Sequence, residues 1–511
     1  MTDRRAYLLL LAAFVLAVSV VHPIGDFPLN DDWGVGFTTF TLLQTGRIEL
    51  TPFASATAYL QFIWGALWAS VFGASFTVLR FATLTLSLGS ALLVFTLLRR
   101  GGTNAGVALL GAAALLFHPL FFWASFTSMT HVPFVFLSLV AAAAFLTAWN
   151  REGVWLAIAF VACVASFFTR QFAILNAIAP LIVAITFRRR NIAIVYAAAA
   201  GVFAILAVTG VLVGSQKELA LHRPAFDGVK LAMRAAHYFF FNWQNIALFF
   251  APVLLLRRVR LSRIALVICG AVFAYAAIRM TSIGAPIPYM NSGNVFTDFG
   301  LGPPTLRDVF TLRMPHPFAL PFAVKVVLMI VTSIGALIAA ASMPATLREE
   351  NVLVRFAAVY LVCGSIVAAF MRINFDRYSI DTGWAVVLLL AGGTIRRPRA
   401  AVATLVVLAI FAICGTSEYL AWNRARWDAY AYLRANGVTL EEMDGGYEIN
   451  SMLALRAGRK DLGKAGVGVV DDRYILTFNR DVPGYRLVRA FPYQRWLGLS
   501  SGAVHVQVRK N

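Results

Sequence analysis

Long apolar runs recur along the whole chain, separated by short loops that carry arginine pairs or triplets. Of the 511 residues, 60% are apolar and only 13% are charged. A helix that crosses a bilayer needs about 20 mostly apolar residues, and soluble domains do not sustain such runs over several hundred residues. The sequence therefore predicts a polytopic α-helical membrane protein.

The arginines predict how the chain is threaded, because cytoplasmic loops are enriched in Lys and Arg. We predict thirteen spans, which end at about residue 421. The stretch 58–74 is also apolar, but as a span it would place Arg188–Arg190 and the other arginine-rich loops outside. We therefore interpret it as an interfacial helix. The N-terminus, which carries Arg4 and Arg5, is predicted to be cytoplasmic, and the chain after residue 421 extracytoplasmic.

The formal charge of +20 is explained by this arginine pattern, so we predict no nucleic-acid partner. The four cysteines are widely spaced inside apolar runs. Their placement predicts neither a disulfide framework nor a cysteine metal site.

The first outer loop, residues 25–75, opens with three carboxylates in the stretch VHPIGDFPLNDDWGVGF, namely Asp26, Asp31 and Asp32. Almost no charge falls at the middle of the predicted spans, where an ion-coupled transporter usually places ionisable groups. Chemistry at the outer membrane surface is therefore favoured over transport. Asp31 and Asp32 begin a predicted amphipathic helix, so one interpretation is a helix cap and a partner for the helix dipole. The other is a general base whose pKa is raised by burial.

Several motifs follow in a fixed order: LNDDW, LLQTGRI, LWASVFGASFTVLRFATL, SFTSMTHVPFVFLSL, FTRQFAIL and FDRYSIDTGWAVVLLL. Their order over residues 1–395 resembles the GT-C glycosyltransferase superfamily. Within it, the chain is similar to the ArnT-like and protein-mannosyltransferase-like branch, whose members use polyprenyl-phosphate sugars. The resemblance implies a GT-C transmembrane domain over residues 1–421, with about thirteen transmembrane helices and outer interfacial helices after the first span.

The resemblance also implies an activity. It is the transfer of a monosaccharide from a polyprenyl-phosphate donor to a hydroxyl of a lipid, glycan or protein at the outer face of a bacterial inner membrane, by a metal-independent inverting displacement. The first acid of the family's pair is the catalytic carboxylate, which implies Asp31 as general base and Asp32 as the fallback. No cofactor is expected. The alternative is a divalent metal bridging Asp31, Asp32 and His131, which are residue types that can coordinate one.

The remaining candidate residues follow from the later motifs. In the second motif the family often has Asp where this chain has His131, a side chain able to bind phosphate or polarise an acceptor. Arginines of the late turn are implied ligands for the lipid phosphate, because a guanidinium binds phosphate oxygens bidentately. Headgroup-level anchoring is the alternative explanation for these arginines. The implied substrate-binding set is His131, Arg170, Gln171, Arg372, Asp376, Arg377 and Tyr378, with less support for Lys217, His222 and Arg223.

Two segments near the C-terminal end complete the predicted organisation. The polar loop 280–319 is interpreted as a lid over the site or as a plain connector. Residues 422–511 combine an amphipathic helix, stopped by Asn436 and Gly437, with short alternating segments, which predicts a small extracytoplasmic α+β domain. Its segment MDGGYEIN resembles one that follows the spans in relatives, which suggests a role in acceptor binding or in covering the site.

Two other functions remain open from the sequence. A transporter or flippase of lipid-linked sugar would show internal two-fold hydropathy symmetry and polar midplane helices, and we see neither. A catalytically silent GT-C-like binding subunit is the other, and the absence of the family's second acid at His131 is the argument for it.

Overall fold

The computed structural model describes residues 2–51, 58–212, 228–286, 293–371, 373–391, 396–458 and 469–510. In these ranges the chain is mostly helical. The α-helices are α1 (Asp3–Val21), α2 (Asp32–Thr45), α3 (Tyr59–Phe72), α4 (Phe76–Arg100), α5 (Ala105–Leu116), α6 (Pro119–Ser125), α7 (His131–Asn150), α8 (Val154–Phe167), α9 (Leu175–Thr186), α10 (Arg190–Val208), α11 (Gly228–Phe249), α12 (Ala251–Leu256), α13 (Arg263–Ser282), α14 (Arg307–Phe310), α15 (Phe322–Ala341), α16 (Met343–Thr346), α17 (Val352–Ala369), α18 (Tyr378–Gly383), α19 (Pro398–Ala435) and α20 (Tyr447–Arg456). Two 3₁₀ helices cover Gln171–Ile174 and Trp384–Leu390.

Eight helices of the described ranges are long and apolar enough to cross a membrane, so the chain is a multi-pass membrane protein. The count is nine if the pair α5 and α6, predicted as part of one span, is taken together despite its 64° bend. Pro119 begins the second helix of this pair, where its missing N–H costs nothing. The predicted number of thirteen spans stays a prediction.

The arginine-rich helix ends gather on one side of the bundle. Arg99 at the end of α4 pairs with Asp3 at the start of α1, with 2.8 Å between Nε and Oδ1. Arg189 donates to the Trp149 carbonyl, and the Arg355 guanidinium lies 4.1 Å from the Phe187 ring. The opposite helix ends carry the acidic loop, and the positive-inside rule predicts that they are extracytoplasmic.

The apolar stretch that we interpreted as interfacial forms α3, a helix of 14 residues. Its length of about 21 Å is short of the roughly 30 Å hydrocarbon core. It packs closely on α2 and α4, since a Cβ atom added at Gly65 would lie 3.0 Å from Thr39 and 3.1 Å from Leu79. The glycine therefore permits the close approach of the three helices beside the acidic loop.

The last span and the amphipathic helix predicted after residue 421 are one continuous helix, α19, of 38 residues. No Gly or Pro lies between Thr416 and Ala435, so nothing interrupts the helix as it leaves the apolar region. It stops at Asn436 and Gly437, where φ is +78° at the glycine. The predicted stop is confirmed, and the helix runs through residue 421 without interruption.

Short strands surround the outer end of α19. The loop before α15 contains the antiparallel pair β1 (Phe296–Thr297) and β2 (Gly300–Leu301). After α19 come β3 (Met443–Asp444), β4 (Tyr474–Thr477), β5 (Tyr485–Arg495) and β6 (Ser500–Arg509), in the sheet order β3-β4-β6-β5. The division at residue 421 into two domains stays a prediction.

Candidate active site

The three carboxylates of the first outer loop have three different environments. Asp26 accepts a hydrogen bond from the Phe76 amide at the start of α4, with a distance of 2.8 Å. Asp32 is buried and accepts from the amides of Leu29, at 2.5 Å, and Ser128, at 3.3 Å. Asp31, in contrast, keeps 42% of its side chain exposed. Asp26 and Asp31 are therefore open to solvent, whereas Asp32 is not.

Three donors contact the Asp31 carboxylate, and both of its oxygens accept. Arg377 Nη2 lies 3.1 Å from Oδ2, and the Tyr447 hydroxyl donates to Oδ1 over 2.9 Å. Asn30 Nδ2 adds a longer contact of 3.3 Å to Oδ2. Asp31 occupies the N-cap position of α2, but its side chain makes no capping hydrogen bond there. The helix-cap interpretation is therefore wrong for this side chain.

Asp32 titrates in an unusual range because it is buried. Burial raises its pKa from 3.8 to about 7, and the positive charge of Arg80 and the two amide hydrogen bonds only partly oppose this. Its carboxylate connects the Leu29 backbone to the Ser128 backbone. Asp32 thus shapes the loop that carries Asp31 and does not share its exposure.

We expect the stability of the protein to depend on pH through Asp32. The folded-state pKa lies above the unfolded value of 3.8, so between about pH 4 and 7 the folded state keeps a proton that the unfolded state releases. Stability therefore falls as the pH rises through this interval and levels off above it. Between pH 4 and pH 8 the wild type should lose up to about 4 kcal/mol more than Asp32→Asn. Thermal unfolding at several pH values measures this, and equal pH dependence would contradict it.

Arg377 lies in the turn between α17 and α18, with 7% of its side chain exposed. Its Nη1 donates to the Gly293 carbonyl over 2.7 Å, and its guanidinium lies 4.3 Å from the Phe375 ring. Its Nε is buried without a hydrogen-bond partner among the described residues. The guanidinium is thus firmly oriented beside Asp31 and still has an unused N–H group.

Asp376 directly precedes Arg377 in this turn and is fully buried. It accepts from the amides of Val295, at 3.0 Å, Phe296, at 2.5 Å, and Arg377, at 2.7 Å. Burial raises its pKa to about 6, with the amide bonds opposing. We predicted substrate binding for Asp376, but its oxygens are occupied by backbone amides, so it fastens the turn to the long outer loop.

A second cationic group lies on the other side of Tyr378. The Arg170 guanidinium is 5.1 Å from the Tyr378 ring, and the Arg377 guanidinium is 5.7 Å from it. Arg170 is bound by the Thr130 hydroxyl, at 2.6 Å from Nη1, and by Asp381 Oδ2, at 3.2 Å from Nε. The tyrosine ring therefore has two guanidinium groups in its immediate surroundings.

His131 is completely buried behind these groups. Its Nδ1 lies 3.0 Å from Asp381 Oδ1, and its Nε2 lies 3.4 Å from Arg170 Nη1. Because an arginine N–H can only donate, this arrangement assigns the imidazole proton to Nδ1. The histidine we predicted to bind substrate therefore orients Asp381 and Arg170.

The C-terminal chain fastens the backbone beside Asp31. Glu448 is buried and accepts from the Asn30 amide, at 3.0 Å, from the Thr305 hydroxyl, at 2.7 Å, and from the buried Arg426 guanidinium. Asn30 itself has a φ of +51°, a conformation that Asn tolerates better than most residues. This network fixes the backbone conformation of the residue that precedes Asp31 and Asp32.

The sequence did not single out three residues that the structure brings to the site: Asp381, Tyr447 and Glu448. Each lies in a motif that was recognised, the first in FDRYSIDTGW and the others in MDGGYEIN. Gln171, which was predicted, is exposed and donates to the Leu212 carbonyl instead. Four other candidates lie outside the described residues, namely Arg372, Lys217, His222 and Arg223.

The residues of the alternative metal site have separate partners. Asp32 binds backbone amides, His131 binds Asp381, and Asp31 binds Arg377 and Tyr447. Across the described ranges, no group of three or more His, Cys, Asp or Glu side chains is arranged to hold a metal ion. The expectation that no cofactor is needed stays a prediction.

Comparisons with known proteins find similarity at the level of structure. No protein-family model and no curated protein matches the sequence. ArnT from Cupriavidus metallidurans bound to undecaprenyl phosphate aligns over 98% of this chain and 97% of its own, at 11% identity and a TM-score of 0.38. Archaeal oligosaccharyltransferase AglB from Archaeoglobus fulgidus, in complex with an inhibitory peptide and a dolichol-phosphate, aligns over 84% of this chain and 58% of its own, at 17% identity and a TM-score of 0.39.

Proposed function

We propose that this protein is a membrane glycosyltransferase. It moves a monosaccharide from a polyprenyl-phosphate donor to a hydroxyl group of a lipid, glycan or protein, at the extracytoplasmic face of a bacterial inner membrane. The observation that carries the proposal is the partly exposed Asp31 carboxylate in contact with Arg377, at the helix ends opposite the arginine-rich side. A base and an anion-binding group thus lie side by side where a lipid-linked sugar presents its reactive carbon.

Asp31 supplies the base. Its carboxylate accepts the proton of the acceptor hydroxyl as the oxygen forms a bond to the anomeric carbon. The bond between that carbon and the phosphate oxygen breaks, and the lipid phosphate leaves with the electron pair. A single displacement of this kind inverts the configuration at the anomeric carbon.

Arg377 and Arg170 supply the positive charge for the departing phosphate. A guanidinium stays charged in a site of low polarity and presents N–H groups in a fixed plane. Arg377 is held in place by the Gly293 carbonyl at Nη1 and by Asp31 at Nη2, so its positive charge lies at a fixed position beside the base. Groups that are already oriented when charge develops stabilise a transition state most effectively, and here they need no metal ion.

Asp381 weakens the argument for a catalytically silent relative. That argument rests on His131 standing where the family often has an acid. In this chain a carboxylate is nonetheless present, since Asp381 lies 3.0 Å from the His131 ring and 3.2 Å from Arg170. The lack of an acid at position 131 is therefore a weaker reason to expect a catalytically silent protein.

The direct test is sugar transfer by the purified protein in nanodiscs from a panel of polyprenyl-phosphate sugars, with and without EDTA. We expect one donor to be consumed with inversion and without an effect of EDTA. If the folded protein consumes no donor but moves a fluorescent lipid-linked sugar across the bilayer, the flippase alternative is favoured instead.

Tyr447 provides a finer test of the site. We expect Tyr447→Phe to lower kcat about 10-fold with little change in KM for either substrate, because the ring stays in place while Asp31 loses the donor that orients Oδ1. Steady-state kinetics for donor and acceptor measure this. The matched control is Tyr485→Phe, which also removes one hydroxyl of the C-terminal chain, bonded over 3.1 Å to the Asp472 carbonyl. Equal kinetics of the two variants would show that Tyr447 does not position Asp31.

A further inference from the structure

The turn between β5 and β6, residues 496–499, presents two large apolar side chains to its surroundings. Trp496 is 46% exposed and Leu499 is 92% exposed. Leu499 also has a φ of +46°, a conformation that a bulky side chain rarely adopts. Neither burial nor backbone preference within the chain explains a leucine at this position.

Glu418 on α19 binds the turn, and its position in the helix shows how deep the turn lies along the helix axis. Glu418 Oε1 lies 2.6 Å from Arg495 Nε, and Glu418 Oε2 accepts from the Leu497 amide over 3.4 Å. Six residues further along α19, Arg424 Nε donates to the Ile24 carbonyl over 3.3 Å. At 1.5 Å per residue, the turn contacts α19 about 9 Å closer to the arginine-rich side than Ile24 does.

The apolar surface of α1 shows where the bilayer ends. Its exposed side chains include Leu8, Leu16 and Val20, and Ile24 beyond its end is 57% exposed. Such a continuous exposed apolar surface is typical of a lipid-facing helix. The hydrocarbon region therefore reaches at least the level of Val20, and the turn 496–499 lies at membrane depth.

The N-terminal end of α15 lies at the same depth as the turn. The Arg495 guanidinium lies 3.6 Å from the Phe318 ring, four residues before α15 begins at Phe322. The exposed apolar side chains of α15 start at once, with Phe322 and Val324. The turn thus continues the lipid-facing surface of α15.

We propose that the turn 496–499 inserts into the bilayer leaflet on the Asp31 side, with Trp496 at the interface and Leu499 among the acyl chains. Tryptophan is enriched at membrane interfaces, and burial of a leucine side chain in an apolar phase is favourable. The inserted turn anchors the sheet of β3, β4, β6 and β5 to the membrane surface. This proposal does not depend on the proposed reaction.

The test measures the depth of a spin label in nanodiscs. Leu499→Cys is labelled with a nitroxide in a full-length chain whose four free cysteines, Cys163, Cys269, Cys363 and Cys414, are replaced by alanine. The control is Asp481→Cys, an exposed position just before β5, whose length of about 35 Å separates it from the turn. We expect the label at 499 to collide mainly with dissolved oxygen and the label at 481 mainly with a water-soluble nickel chelate.

Two results would overturn the proposal. A label at 499 that meets the nickel chelate as often as the label at 481 lies in water. A label that meets neither reagent and shows dipolar broadening lies against a second copy of the chain. If the cysteine-free chain does not fold, the wild type and Trp496→Phe are compared in brominated lipids. Loss of part of the fluorescence quenching in the variant supports insertion, and identical quenching contradicts it.

Discussion

Asp31→Asn is expected to lower the rate of sugar transfer by about 10²–10⁴-fold while the protein stays folded. The amide has the shape of the carboxylate but cannot take the proton of the acceptor hydroxyl. Its oxygen can still accept from Tyr447 or Arg377, so the surrounding contacts largely persist. Initial rates with saturating donor and acceptor, together with the thermal unfolding midpoint, measure both parts of the expectation.

The control for this substitution is Asp26→Asn in the same loop. Asp26 accepts from the Phe76 amide at the start of α4, and an asparagine oxygen can do the same. We expect its transfer rate to stay within about 2-fold of wild type, since a surface substitution of this kind changes little. An Asp31→Asn protein that keeps more than about a tenth of the activity would assign the base to another residue.

Glu448→Gln is expected to have the largest effect on stability, lowering the free energy of unfolding by about 3–5 kcal/mol. It leaves the buried Arg426 guanidinium without its counter-charge, and both side chains of this pair are fully buried. It also weakens the acceptor of the Asn30 amide, so the transfer rate should fall as the loop of Asp31 loosens. Thermal unfolding in detergent and the transfer assay report the two effects separately.

A matched substitution tests whether burial is the reason. Glu442→Gln removes a carboxylate from the same C-terminal chain, but its partner Arg473 is 56% exposed, so little change is expected. The double variant Arg426→Met with Glu448→Leu removes both buried charges together, and we expect it to regain stability without regaining transfer. Similar unfolding midpoints for Glu442→Gln and Glu448→Gln would show that the buried pair does not support the fold.

Local patterns predicted the part of the fold that depends on short stretches of sequence. Apolar runs predicted membrane helices, and the positions of the arginine-rich loops predicted that 58–74 is not a span. Asn436 and Gly437 predicted the end of α19. These predictions succeed because hydrophobic length and helix termination are set by neighbouring residues.

Helix α19 continues past residue 421, where we predicted the domain boundary. The composition changes there, from apolar to mixed, and composition shifts are typical of domain boundaries. Helix continuity, however, depends on backbone preference, and the residues from Thr416 to Ala435 are free of Gly and Pro. The helix therefore crosses from lipid to the outer space without a break.

The sequence by itself determined that the chain is a multi-pass membrane protein with an acidic pair at the loop after its first span, because apolar length and charge are properties of the residues themselves. Only the tertiary structure decided that Asp31 is accessible and Asp32 is not, since that depends on the packing of Leu29 and Ser128 around the latter. The partners of Asp31 come from residues 377 and 447, more than 300 positions away along the chain. No local pattern encodes such a distance, and the folded bundle brings these groups within 3.1 Å of one carboxylate.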